Sequence, residues 1–139
     1  MAIARKSDVV AAVDLGSNSF HLVLGRLEAG RIQIVDRIKE SVRLGGGLDD
    51  DLNLTEESQE RALRALERFG QRLREVPPDQ VRAVGTSALR QARNRRRFLE
   101  RAQSALGHSI EIVGGHEEAR LIYLGVEQAH AGAAGRRLV

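Results

Sequence analysis

The apolar run Val9–Val13 stops at Asp14–Ser19, a segment rich in turn-forming residues. A second apolar segment at 20–27 follows directly, and the turn Glu28-Ala29-Gly30 separates it from a third that starts at Arg31. Short connections between segments of this length predict an antiparallel meander of three strands. We expect three isoleucines of the third strand to face one side: Ile32, Ile34 and Ile38.

The segments that follow alternate between helix and strand patterns. Two polar runs, Gly45–Gly47 and Asp49–Asp51, predict a flexible loop. Thr55 is typical of a helix N-cap, and Pro77-Pro78 ends the helix that it begins. The apolar face of that helix has spacings of three and four residues: Leu63, Leu66, Phe69 and Leu73.

The second half of the chain predicts a strand at Val81–Val84, a helix at 94–106 closed by Gly107, a strand at 109–113 and a helix at 116–129. The order β-β-β-α-β-α-β-α indicates an α/β fold with a mixed sheet and flanking helices. We expect one domain over residues 1–139, in which 131–139 form a linker and the start of a further strand.

Composition sets broad limits on location and partners. The chain has no cysteine, so disulfides and thiolate metal sites are excluded, and it has no apolar run of the roughly 20 residues that a membrane helix needs. We therefore expect a cytoplasmic protein without stable membrane insertion. Lys6 and Lys39 are the only lysines among 22 basic residues. The arginine excess suits phosphate recognition, but codon bias is the explanation that we favour.

The junction after the first strand has the residue types of an anion site. We expect Gly16 to allow a positive φ and a close approach of an anion, and successive amides to converge on it. Ser17, Asn18 and Ser19 add donors for substrate phosphate, and Asp14 can orient a hydrated Mg²⁺. The alternative is a hairpin in which these residues serve only the turn.

Four motifs occur in an order that resembles the exopolyphosphatase/guanosine pentaphosphate phosphohydrolase family. They are AVDLGSNSF at 12–20, LGGGL at 44–48, VGTSALRQA at 84–92 and IVGGHEEARLIYLGV at 112–126. This resemblance implies a ribonuclease-H-like domain of the actin/hexokinase/sugar-kinase superfamily. It also implies a hydrolase that releases terminal phosphate from inorganic polyphosphate or from guanosine pentaphosphate, with Mg²⁺ as the cation.

The resemblance also assigns roles to individual residues. It implies that Glu118, near the start of a helix whose dipole keeps it ionised, is the catalytic base. It places Arg90 at a phosphate-contacting position, where a guanidinium stabilises the charge of phosphoryl transfer, and we assign Thr86 to phosphate binding. The alternative for Glu117 and Glu118 is that both simply favour the helix start.

The resemblance further implies an N-terminal fragment, because the second glycine-rich loop of the family would follow the strand that begins at Leu138. We expect the fragment alone to lack turnover and, with apolar surface uncovered, to form a homodimer.

Two other functions stay open on the sequence alone. One is a kinase-like ATPase of the same superfamily. The other is a basic module that binds nucleic acid through the arginines between Arg90 and Arg101. The low aromatic content of 3% disfavours specific nucleic-acid binding, because stacking surfaces are scarce, and a solvated helix face explains the arginine run.

Overall fold

The structure is a computed structural model, and it describes residues 8–113. Its five strands form one sheet in the order β3-β2-β1-β4-β5. The strands are β1 (Val9–Leu15), β2 (Ser19–Glu28), β3 (Arg31–Ser41), β4 (Val81–Gly85) and β5 (Glu111–Ile112).

The pairing of these strands confirms the predicted mixed sheet of ribonuclease-H-like order. β1, β2 and β3 pair antiparallel, whereas β4 is parallel to both β1 and β5. A two-residue turn with positive φ at Ala29 (52°) and Gly30 (76°) joins β2 to β3, as tight hairpins require. The predicted helix at 116–129 and the segment 131–139 lie outside the described residues.

The isoleucine pattern of β3 differs from the prediction. The register shifts by one residue at Leu24/Gly25, which is the signature of a β-bulge. Ile38 therefore packs on the core face, whereas Ile32 lies beside Gly25 and Val10 on the opposite face. The prediction that Ile32, Ile34 and Ile38 share one side was wrong, because the extra residue inverts the alternation of side chains.

Two long helices cover one face of the sheet, and a short one lies between them in sequence: α1 (Glu56–Arg72), α2 (Ser87–Gln91) and α3 (Arg95–Leu106). Thr55 caps α1 as predicted, because its Oγ1 accepts a hydrogen bond from the Ser58 amide at 3.1 Å. α1 approaches α3 closely at Gly70, where a Cβ would lie 2.8 Å from the Ala105 carbonyl oxygen. Gly107 ends α3 with φ of 84°, as predicted.

The main core lies between these helices and the sheet. Alternate residues of β1 and β2, such as Val13, Leu15 and Leu22, point into it, together with Phe69 of α1 and Phe98 of α3. A smaller apolar cluster of Ala12, Val84 and Val113 lies on the opposite face. Within residues 8–113, no helix has the length and hydropathy needed to cross a membrane.

The segment 45–51 is more ordered than the flexible loop that we predicted. Gly45–Gly47 form a 3-10 helix, Leu48 pairs with Leu54, and the Thr55 amide donates to the Gly47 carbonyl at 3.0 Å. Gly47 is buried against α1, where a Cβ would lie 2.3 Å from the Ser58 Cβ. Glycine is required at position 47 because a side chain there would keep the backbone from packing so closely against α1.

Candidate functional site

The parallel pairing of β1 with β4 brings the predicted site residues of two distant segments to one edge of the sheet. Leu15 pairs with Gly85, so the turn 16–18 and the residues after β4 leave the sheet side by side. The Thr86 amide and hydroxyl both donate to the Leu15 carbonyl, at 3.2 and 3.3 Å. Ligand sites of α/β sheets occur at such carboxyl ends.

The backbone at Gly16 differs from the prediction in its hydrogen bonding and in its φ angle. The Gly16 amide donates to the Ser19 carbonyl at 3.1 Å, so this N–H points into the turn. Gly16 is also absent from the described residues that have positive φ. The predicted positive φ was therefore wrong, and the glycine is needed for space, since a Cβ would lie 3.0 Å from the Ser19 oxygen.

The rest of the turn is anchored to the end of β3. The Asn18 carbonyl accepts hydrogen bonds from the Val42 and Arg43 amides, at 3.0 and 2.8 Å. Ser17 and Ser19 are half-buried, and Asn18 is exposed to solvent. The donors predicted at Ser17, Asn18 and Ser19 thus lie at the surface of a turn that is fixed at both ends.

Asp14 is the most unusual group at this edge. Its Oδ1 atom is buried and has no hydrogen-bond partner. Burial raises the pKa of the Asp14 carboxyl, and His21, its neighbour in register on β2, lowers it. Sequence analysis had assigned no chemical role to His21, and its influence on Asp14 follows from the pairing of β1 with β2.

An unpartnered carboxylate oxygen fits a hydrated divalent cation. Mg²⁺ is commonly held by one or two carboxylates while it keeps several of its waters. Residues 8–113 contain no cluster of three or more acidic or histidine ligands, so a cation at Asp14 would have at most two protein ligands of these types within this range.

Arg90 lies on α2. Its amide donates to the Thr86 carbonyl at 3.0 Å, and Thr86 in turn bonds to Leu15 beside the turn. The Arg90 guanidinium donates to the Val113 carbonyl at 3.2 Å and is otherwise exposed. Thr86 has both of its donors committed to Leu15, so contact between its hydroxyl proton and a phosphate would require that hydroxyl to rotate. Glu118 lies outside the described residues.

The sequence missed two arginines near the same turn. Arg43 and Arg61 line an open depression of about 650 Å³, together with Ser41, Val42 and Gly46. Arg43 follows the end of β3, and Arg61 reaches it from α1, where its Nε donates to the Val42 carbonyl at 3.2 Å. A single sequence carries no local signal for a contact across 19 residues.

The arginine run from Arg90 to Arg101 is mostly a solvated surface. Arg93, Arg96 and Arg97 are exposed, and Arg95 donates to the backbone carbonyls of Arg90 and Ala92. Arg101 pairs with Glu56 and also donates to the Gln59 side chain at 2.8 Å. These contacts favour the interpretation of this run as a helix surface.

Comparison with known proteins identifies relatives of this chain. Residues 23–139 match the model of the Ppx/GppA phosphatase family. A guanosine-5′-triphosphate,3′-diphosphate pyrophosphatase from Pseudoalteromonas atlantica is 50% identical over 124 residues, which are 89% of this chain and 25% of that protein. The chain thus spans about a quarter of the length of this curated relative.

Solved structures show the same likeness. A Ppx/GppA family member from Aquifex aeolicus superposes with a TM-score of 0.74 and 30% identity, over 85% of this chain and 39% of the other. An exopolyphosphatase from Cytophaga hutchinsonii gives a TM-score of 0.74 and 34% identity, over 86% of this chain and 38% of the other.

Proposed function

Because this chain belongs to the Ppx/GppA phosphatase family, we propose that it serves in hydrolysis of phosphoanhydrides. The substrate is inorganic polyphosphate, from which terminal phosphate is released, or guanosine pentaphosphate, which loses its 5′ phosphate. The proposal concerns this segment within a protein of the relatives' length, since the chain spans a quarter of its curated relative.

The observation that carries the proposal is the buried, unpartnered Asp14 oxygen beside a fixed turn. A carboxylate withdrawn from water without a donor is costly unless a bound cation compensates it. The turn at Gly16 and the guanidinium of Arg90 leave the same edge of the sheet. A carboxylate, a fixed turn and a guanidinium thus lie at one edge of the sheet, which supports binding of a cation and a phosphate there.

In the proposed mechanism, Ser17, Asn18 and Ser19 hold the oxygens of the phosphate that is transferred. Arg90 offsets the charge that develops on these oxygens, and Glu118 accepts a proton from the attacking water. Thr86 helps to bind phosphate and fixes the spacing of the two loops through its bonds to Leu15. Asp14 would hold Mg²⁺, which when bound neutralises phosphate charge.

Substitution of the proposed base tests this mechanism. In a protein of the relatives' length, Glu118→Gln should lower kcat by about 100-fold or more, while substrate Kd stays within about threefold. Glu117→Gln is the matched control, because adjacent helix residues point about 100° apart, and it should keep near-normal kcat. Equal kcat in wild type and Glu118→Gln, measured by phosphate release, would contradict the role.

The location, the assembly and the fragment's inactivity belong to the same proposal. A cytoplasmic location is supported by the lack of cysteine. Homodimerisation of the 139-residue chain is supported by the exposed edge strand β3, where Ile34 and Val35 are 41% and 53% exposed. Sedimentation that shows only monomer at high concentration would refute the dimer, and steady phosphate release by this chain alone would refute its inactivity.

A further inference from the structure

The depression between β3 and α1 adjoins the turn that is proposed to hold phosphate. Its walls are Ser41, Val42, Arg43, Gly46 and Arg61, and its volume of about 650 Å³ falls in the range of ligand sites. The Val42 and Arg43 amides donate to the Asn18 carbonyl, so the wall of the depression and the turn share hydrogen bonds. A ligand seated on the turn can therefore extend into the depression.

The charge of this depression is not compensated. It is lined by two guanidinium groups and no carboxylate, and within residues 8–113 neither Arg43 nor Arg61 forms a salt bridge. Arg61 uses its Nε for the Val42 carbonyl, which orients the remaining N–H groups of the fork. Two oriented, uncompensated cations form an attractive site for an anion.

Other arginines of α1 show that this lack of compensation is local. Arg68 and Arg72 lie about two and three turns further along α1 than Arg61 does, and both face β3. Arg68 makes a bidentate pair with Glu40, and Arg72 pairs with Asp36. β3 thus supplies an acid to each of these arginines, whereas Arg61 donates to the backbone carbonyl of Val42, just after β3.

The backbone of Arg43 gives independent support. Its φ is 56°, a left-handed conformation that glycine and asparagine adopt at lower cost than arginine does. The Arg43 amide is fixed by the Asn18 carbonyl at 2.8 Å, so the turn demands this conformation. A charged residue in this conformation, at the wall of a depression, is a candidate for a functional side chain.

The walls of the depression favour phosphate groups over a nucleobase. None of its residues is aromatic. The phenylalanines of the described part of the chain, Phe20, Phe69 and Phe98, are fully buried and cannot stack on a base.

We propose that Arg43 and Arg61 form a second phosphate subsite, which binds a phosphate further along a linear phosphoanhydride chain while the turn at Gly16 holds the terminal one. This inference rests on the proposed function and refines it towards inorganic polyphosphate. Arg43 and Arg61 are specificity residues in this assignment, because they contact the part of the substrate that does not react.

Calorimetric titration of the full chain with orthophosphate and with tripolyphosphate, in buffer that contains Mg²⁺, tests the subsite, because this chain alone is expected to lack turnover. Arg43→Asn removes the charge and suits the left-handed backbone, so it should keep or raise Tm while it weakens tripolyphosphate binding by about tenfold. Arg61→Gln should weaken it similarly. Both variants should leave orthophosphate affinity within about twofold, because a single phosphate occupies the turn.

Arg64→Gln is the matched control, since Arg64 is an exposed arginine on α1 outside the depression. If Arg43→Asn and Arg61→Gln weaken tripolyphosphate no more than Arg64→Gln does, the subsite is refuted while the proposed function survives. Equal loss for orthophosphate would refute a separate second subsite. Wild type that binds neither ligand would refute the proposed function as well.

Titration with guanosine pentaphosphate distinguishes the source of the phosphates. Weaker binding of both this nucleotide and tripolyphosphate supports a subsite that takes phosphates from either source. Weaker binding of the nucleotide alone would overturn the proposal, because the depression would then recognise the nucleoside.

Discussion

Two polar regions of this domain differ in how their hydrogen-bonding groups are used. Around the start of α1, buried polar side chains are bonded to protein: Ser58 Oγ donates to the Thr55 carbonyl at 2.9 Å, and Gln59 Nε2 donates to the Leu54 carbonyl at 3.1 Å. Asn94 accepts from the Leu54 amide and donates to its carbonyl, at 2.9 and 3.1 Å. We call this region the cap cluster (Leu54, Thr55, Ser58, Gln59 and Asn94).

The turn at Gly16 and the adjoining Asp14 show the opposite pattern. Asp14 has a buried oxygen without a partner, and Asn18 has an exposed side chain. Both regions consist largely of polar residues, so composition does not distinguish them. Satisfied polar groups stabilise a fold, whereas an unsatisfied one costs stability and is retained where a ligand needs it.

A side chain added at Gly47, which packs against Ser58 of the cap cluster, should have the largest effect on stability. Gly47→Ala places a Cβ 2.3 Å from the Ser58 Cβ, and neither helix nor backbone can yield easily. We expect a loss of about 3 kcal/mol in the free energy of unfolding, measured by urea denaturation. Gly46→Ala is the control, because no atom lies within 4 Å of its Cβ, and an equal loss there would show that the clash is not the cause.

Removal of a hydrogen-bonding side chain should have a smaller effect that differs between the two regions. Asn94→Ala leaves the Leu54 amide without its partner, so we expect a loss of about 2 kcal/mol. Asn18→Ala removes an exposed side chain of the turn and should change stability by less than about 0.5 kcal/mol. Similar losses in the two variants, measured by thermal or urea unfolding, would erase the distinction between the regions.

Asp14→Asn should change stability by less than Gly47→Ala or Asn94→Ala does, and in the opposite direction. Neutralising a carboxylate that has a buried unpaired oxygen should stabilise the metal-free domain by about 1 kcal/mol, a figure that allows for partial solvent exposure. Asp36→Asn is the matched control, since Asp36 pairs with Arg72 and should lose a little stability. Destabilisation by Asp14→Asn would show that the carboxylate has a structural partner.

The advantage of Asp14→Asn should depend on pH. Because burial raises the pKa of Asp14 in the folded state, the folded form binds a proton more tightly than the unfolded form does. The penalty of the charged carboxylate is complete above that raised pKa and disappears as the pH falls through it. The stability difference between the variant and wild type should therefore shrink on acidification.

Local patterns predicted much of this fold. The Thr55 cap, the apolar face of α1 and the Gly107 terminus depend on neighbouring residues, and the structure confirms them. Ile38 and Ile32 lie on opposite faces of the sheet because of a one-residue bulge opposite Gly25. The alternation of apolar and polar residues in the sequence does not reveal this bulge. Short-range periodicity specifies elements better than it specifies their register.

The candidate site was predicted less completely than the fold. The residue types after the first strand selected Asp14 and the turn at Gly16, and the family resemblance selected Arg90. The structure brings these residues to one edge of the sheet. It did not indicate that the Gly16 amide points inward, nor that Arg43 and Arg61 meet. Both facts depend on tertiary contacts that no sequence spacing encodes.

The bonds from Thr86 to the Leu15 carbonyl have a consequence for folding. These two residues are 71 positions apart, so their contact closes a long loop and costs chain entropy. Contacts of such separation form slowly compared with hairpins and helices. The edge of the sheet where the turn at Gly16 meets the residues after β4 is thus expected to assemble late, after the meander and α1 have formed. A nascent chain that ends before β4 cannot complete this edge.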